Sequence, residues 1–284
     1  MASGRTFIKK SRPASKLKLK FLKPPMPALQ GADRFGVAGG SETVYWPADL
    51  LPSAVPRARI WTYGYNADVS SGFFRPNNQN SILEHGNDLM VKVERALRDE
   101  LPIIFVAHSV GGLVVKVAIN NMHSSIGVRY QRLARRIWTV IFCGSPHRGS
   151  DAAAWGKLAT NLIAVALMDS NSRLLSDLQV DSRALSRIQA DFLNALWRAP
   201  LRIHSFQEGR ALTGVKGLDS KVVDDFSSKL GWAPETFETI DADHLEMVKK
   251  PGVKDISDIL KDLEQEAVVA AQALNISELP SVIG

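Results

Sequence analysis

The sequence predicts an α/β fold: a mostly parallel sheet covered by helices on both faces. Three observations point there. Strands alternate with helices from about residue 45 to residue 274. Two strands read as buried on both faces: "PIIFVA" (102–107), a continuous apolar run, and "RIWTVIFCG" (136–144). The chain has 284 residues and is 45% hydrophobic, enough for one large domain. A domain of that size buries roughly three quarters of its unfolded surface.

The elements follow in order. "ARIWTYGY" (58–65) is rich in β-formers and reads as a strand. "NSILEHGNDLMVKVERALRDE" (80–100) reads as a helix, with Ser81 and Glu84 spaced as a capping box and Ile82, Leu89, Val93 and Leu97 on one face. After the strand 102–107, "GGLVVKVAINNM" (111–122) reads as a helix, and the strand 136–144 follows. Helical stretches are expected over roughly 152–168 and 173–198. "LRIHSFQE" (201–208) and "ETFETID" (235–241) read as strands. The helix 253–274 closes the series, with Val253, Ile256, Ile259, Leu260 and Leu263 on one face. The expected organisation is a basic, disordered segment over 1–40, one domain over 41–275 and a tail over 276–284.

Charge and cysteine content narrow the classes. The formal net charge is +6, but residues 1–32 hold eight Lys and Arg and no acid, so the remainder sums to about −2. The basicity belongs to a tail, and a nucleic-acid-binding fold is not expected. The tail's composition has a trace of a mitochondrial presequence, although Pro13, Pro24, Pro25 and Pro27 oppose a long amphipathic helix. The single Cys143 excludes an internal disulfide and lies in an apolar run, as a core thiol does. The best apolar stretch, "LATNLIAVALM" (158–168), falls short of the ~18 residues a membrane span needs.

The segment "FVAHSVGG" (105–112) carries the chemistry. It compresses a strand end, a turn and a helix start into a few residues, with Ser109 at the turn. A serine there has its hydroxyl lifted clear of the backbone at a helix N-terminus, where free N–H groups favour developing negative charge. Small residues are needed on either side, and Ala107, Gly111 and Gly112 supply them. This is the G-x-S-x-G nucleophile elbow with Ala in the first position.

A serine nucleophile needs a base, and in this arrangement the chain order is Ser, then Asp or Glu, then His. His147 follows the next strand too soon, and His204 lies inside a strand. His244, in "DADHLEMV", follows the last strand and is the expected base. Glu208, at a strand end, is the first choice of acid. Asp219, just before a "VV" pair in the manner of lipase acids, is the alternative, with Asp224 and Asp225 behind it.

The segments "YWPADLLP", "RIWTYGYNADV", "IIFVAHSVGGLVVKVAI", "VIFCGSPHRGS" and "DADHLEMVKKP" resemble the α/β-hydrolase family of serine esterases and lipases similar to the serine active site-containing protein, a module that fungi carry at the N-terminus of longer proteins. The resemblance covers about residues 44–262, with five motifs in order. It implies an α/β-hydrolase three-layer sandwich, Ser109 as nucleophile, His244 as base, and "GSPHRGS" as a structural loop beside the site. It implies ester or lipid hydrolysis, with phospholipids among the substrates, and association with mitochondrial or endoplasmic reticulum membranes. The chain departs from the family in one place. The family opens with an apolar strand and a His-Gly-rich loop shortly before the "WP" segment, whereas this chain has "FGVAGG" (35–40). The sheet is therefore expected to lack its first core strand. That loop also supplies one oxyanion-hole N–H, the other coming from Val110. Gly39 and Gly40 are the candidates to stand in for it.

The expected activity is thus hydrolysis of lipid-like carboxylic esters, impaired by an incomplete oxyanion hole. The alternative is a non-catalytic hydrolase-fold module that binds lipid or protein. No cofactor, metal or nucleic acid is expected. The protein is expected to be intracellular, either cytoplasmic or peripheral at mitochondrial or endoplasmic reticulum membranes, with any membrane contact through the basic N-terminus.

Overall fold

The computed structural model describes residues 18–22, 46–63, 79–97, 101–148, 156–158, 160–161, 182–199, 201–212 and 220–277. The elements are β1 (Lys18–Leu22), α1 (Trp46–Asp49), α2 (Leu51–Ala54), β2 (Arg59–Tyr63), α3 (Gln79–Ala96), β3 (Ile103–His108) and α4 (Gly111–Ser124). Then come α5 (Val128–Arg135), β4 (Ile137–Cys143), α6 (Ser182–Arg198), β5 (Arg202–Glu208), β6 (Thr236–Ile240), a 3₁₀ turn Glu246–Val248 and α7 (Lys250–Ser277).

The six strands form one sheet in the order β2-β1-β3-β4-β5-β6. Every neighbouring pair is parallel. From β1 the chain first steps outward to β2, then crosses to the other side for β3. The reversal of direction lies between β1 and β3, and the carboxyl ends of strands at such a switch point form a crevice.

Strand alternation explains the two cores. Ile103, Phe105 and Ala107 of β3 join Val140 and Phe142 of β4 on one face, packed with Leu113, Val114 and Val117 of α4 and Phe192 and Leu196 of α6. Ile104 and Val106 join Ile141, Cys143, Phe206 and Ile240 on the other face, under Leu51 and Val55 of the α2 region and Ile256, Leu260 and Leu263 of α7. A fully buried side chain of this kind contributes about 1.5–3 kcal/mol. The apolar runs read in the sequence are therefore strands covered on both sides. Tyr63 ties β2 to α3, its hydroxyl donating to Asp88 Oδ2 at 2.9 Å.

Two expectations need correction. The sheet does not lack its first strand: Lys18–Leu22, inside the segment expected to be disordered, pairs with β2 on one side and β3 on the other. A charge count over the whole segment hides this five-residue alternation, in which Lys18 and Lys20 interleave with Leu19 and Phe21. The rest of 1–40 lies outside the described residues, as do residues 278–284 of the expected tail; α7 runs to Ser277. The second correction is at α3, which begins at Gln79, so Ser81 falls inside the helix and is not its cap. The short helices α1, α2 and α5 were not legible. The first two are single turns, too brief for periodicity to register, and α2 is started by Pro52.

Candidate active site

β3 ends at His108 and α4 begins at Gly111, so Ser109 and Val110 alone make the turn. Ser109 has φ +55°, the one positive φ at a non-glycine position among the described residues. Such a conformation costs an L-residue about 1–2 kcal/mol, so surrounding contacts must impose it. The Ser109 N–H donates to Cys143 O of β4 at 3.0 Å, and Ser109 O accepts from Gly112 N at 3.0 Å. Gly112 is required by proximity: a Cβ there would stand 2.5 Å from Ser145 Oγ. Val110 occupies the N-cap of α4, where no side chain caps the helix. Its N–H lies at the positive end of the helix.

His244 sits in the turn after β6 and is 1% exposed. The turn is fixed by Asp243, whose Oδ1 accepts the N–H groups of Leu245 and Glu246 at 2.9 Å each. The imidazole lies against Gly144, which has φ +52°, and a Cβ on that glycine would meet His244 Nδ1 at 3.1 Å and Met247 Sδ at 2.8 Å. The glycine of "CGSP" therefore makes room for the ring.

Glu208 ends β5 and is fully buried. Its Oε1 accepts from His244 Nδ1 at 2.8 Å and from Val223 N at 2.9 Å, and its Oε2 accepts from Val222 N at 2.9 Å. Three donors meet one buried carboxylate, as burial of such a group demands. On the other side of the ring, the Ser109 hydroxyl lies 2.9 Å from His244 Nε2. The structure brings Glu208, His244 and Ser109 into one hydrogen-bonded chain at the carboxyl ends of β5, β6 and β3.

The other candidates lie elsewhere. Asp224 caps a local turn, its Oδ1 accepting from Phe226 N at 2.9 Å and Ser227 N at 2.8 Å. Asp225 pairs with Lys221 at 2.6 Å. Asp219, Gly39 and Gly40 lie outside the described residues. His204 is packed in β5, its Nδ1 2.8 Å from Thr236 Oγ1, and burial pushes its pKa down to about 4. His147 is fully buried edge-on to Phe142, with ring centroids 4.6 Å apart, and burial, then Lys116 and Arg148, hold its pKa well below the usual range. Cys143 is a buried free thiol whose pKa burial raises.

Three contributors escaped the sequence reading. The N–H groups of Val222 and Val223 hold Glu208; their "VV" pair was visible but pointed to Asp219. Lys116, seven residues after Ser109 on α4, is fully buried, and its Nζ donates to Pro146 O at 3.2 Å and Gln189 Oε1 at 2.7 Å. It braces the "GSPHR" loop from below, and its burial lowers its pKa well below the lysine range, Glu235 opposing. His108 is treated below. Among the described residues, no group of three His, Cys, Asp or Glu is arranged to hold a metal ion, and no helix is long and apolar enough to cross a membrane.

No protein-family profile matches the chain. Protein SERAC1 of Mus musculus is 28% identical over 214 residues, which are 75% of this chain and 31% of that protein. Protein SERAC1 of Bos taurus is 29% identical over 167 residues, 58% of this chain and 24% of that protein. The chain thus spans about a quarter to a third of the curated relatives it matches. Among solved structures, a carboxylesterase of the thaumarchaeon Nitrososphaera gargenis aligns over 93% of this chain and 96% of its own, with TM-score 0.52 and 12% identity. The fold is that of the α/β-hydrolases.

Proposed function

We propose that this chain is a serine hydrolase that cleaves carboxylic esters, with Ser109 as nucleophile, His244 as general base and Glu208 as the acid that orients it. The observation that carries the reading is the continuous path from Glu208 Oε1 through both imidazole nitrogens to Ser109 Oγ, with links of 2.8 and 2.9 Å. The Nδ1–H is committed to Glu208, which leaves Nε2 as the acceptor for the serine proton. Ser109 Oγ bonds to the ester carbonyl carbon as its proton passes to His244, and the Val110 N–H stabilises the oxyanion. His244 returns the proton to the leaving alkoxide, giving the acyl-enzyme. It then activates the water that releases the acid.

A lipid-like ester is the substrate class that the resemblance to serine esterases and lipases favours. The five basic residues that precede β1 (Arg5, Lys9, Lys10, Arg12 and Lys16), without an acid among residues 1–16, support contact with an anionic membrane surface, such as that of mitochondrion or endoplasmic reticulum. Co-sedimentation with anionic vesicles tests this; equal binding after removal of residues 1–16 would refute it. For the chemistry, a fluorophosphonate probe is expected to label the wild-type chain and not Ser109→Ala, because labelling requires an activated serine.

One observation favours a second reading, a hydrolase-fold binding module. β1 runs parallel to β3 with Leu22 beside Ala107, so the chain leaves β1 next to the Ser109 end. The next residues are Lys23, Pro24 and Pro25, and proline has no N–H to donate. Folded wild-type chain that never labels would support this module instead.

A further inference from the structure

We infer that His108 is a positioning residue that holds the base of the proposed hydrolase; the inference rests on that reading of Ser109 and His244. His108 ends β3, immediately before the nucleophile. Its Nε2 lies 2.8 Å from the backbone carbonyl oxygen of His244. A carbonyl only accepts, so His108 donates, which fixes a proton on its Nε2. The two imidazole rings also pack together, with centroids 4.8 Å apart and planes inclined by 39°.

Two consecutive residues of the elbow therefore grip one histidine. Ser109 meets its side chain at Nε2, and His108 meets its main chain. The turn that carries His244 is separated from the elbow by 135 residues of sequence. Asp243 orders that turn within itself, through bonds to Leu245 and Glu246, but gives no link across to β3. Glu208 fixes the far side of the ring at Nδ1, and Gly144 lies against it. The His108 bond fixes the backbone from which the ring projects, and the His108 ring limits tilting on one side. Small displacements of a base reduce proton transfer steeply, because the reacting atoms must lie within hydrogen-bond reach.

The test uses two substitutions that separate the bond from the packing. His108→Gln keeps an N–H donor, and His108→Phe keeps a ring and loses the donor. The readout is the rate of fluorophosphonate inactivation, resolved into probe affinity and maximal inactivation rate, with melting temperature measured alongside. His108→Phe is expected to lower the maximal rate about tenfold with probe affinity and melting temperature little changed, and His108→Gln to recover most of that loss. A His108→Phe chain that inactivates at the wild-type rate overturns the inference while leaving the hydrolase reading intact. So does a parallel loss in both variants, since the donor would then not matter. If His108→Phe fails to fold, His108→Gln alone decides: a tenfold loss in a folded chain counts against the donor's role, and retention supports it. Wild-type chain that does not label at all ends the hydrolase reading and this inference with it.

Discussion

The Ser109 N–H donates to Cys143 O at 3.0 Å, so the nucleophile's backbone is held by the end of the neighbouring strand. With that anchor in place, Ser109 cannot relax from φ +55°. The strain is the cost of aiming Oγ at His244, and it is a stability cost that glycine would not carry.

Two replacements of the nucleophile are therefore expected to differ. Ser109→Gly and Ser109→Ala both lose probe labelling, but only Gly relieves the left-handed strain. Relief of about 1–2 kcal/mol is offset in part by glycine's greater unfolded entropy, about 0.5–1 kcal/mol. Urea unfolding is expected to find Ser109→Gly more stable than Ser109→Ala by up to about 1.5 kcal/mol. An alanine variant more stable than the glycine variant would show that the elbow is not strained.

The acid is decided by a second pair. Glu208 accepts three N–H donors, so a Gln side chain would turn its amide toward at least one of them. Glu208→Gln is expected to lower kcat by about 10³–10⁴, through loss of the correct imidazole tautomer. Asp219→Asn is expected to stay within a few-fold of wild type. Inverted results, with Asp219→Asn inactive and Glu208→Gln active, would assign the acid to Asp219.

Legibility in the sequence followed how local each signal was. The elbow is written in one octapeptide, β3 in a continuous apolar run and β4 in a largely apolar one. His244 and Glu208 were reachable because chain order and strand ends restrict where such residues can sit. The supports of the site were not reachable. Val222 and Val223 act through main-chain N–H groups, which every residue type but proline offers. Lys116 is a charged residue inside a helix, and its burial depends on where Pro146 and Gln189 arrive. β1 was hidden because a parallel strand is stabilised by partners distant in sequence, while its own five residues carry alternating lysines.

Acid lability follows from two buried histidines. Burial holds His204 down to about 4, and also lowers His147, against an unfolded value near 6.5. Below pH 6.5 the unfolded chain takes up protons that the folded chain refuses, so these groups favour unfolding as pH falls toward 4. Their contribution is fully present above 6.5. Each imidazole adds a slope of up to about 1.4 kcal/mol per pH unit. Denaturant titrations from pH 7 to 4.5 are expected to show a steep fall in wild type and a shallower one in His204→Gln. Identical slopes would remove His204 from this account.

The oxyanion hole makes the last prediction. The proposed mechanism draws one N–H from Val110 at the start of α4, while the chain leaving β1 beside Ala107 continues into Lys23, Pro24 and Pro25. A backbone donor aimed at a tetrahedral intermediate contributes about 2.7–4 kcal/mol, or 10²–10³ in kcat. Proton transfer from Ser109 to His244 does not use that donor, so activation of the nucleophile is expected to survive its loss. The penalty then depends on how much charge the carbonyl oxygen gathers before the leaving group departs. A p-nitrophenyl ester, with a good leaving group, reaches an early transition state and needs little stabilisation. An alkyl ester needs much more. The kcat/KM on the p-nitrophenyl ester is therefore expected to approach that of an esterase retaining the His-Gly loop, with the alkyl ester lower by about 10²–10³. Equal efficiency on the alkyl ester would show that another N–H, such as that of Gly39 or Gly40, completes the hole. Substituting those glycines by proline, which removes the donor, would then bring the alkyl-ester deficit back.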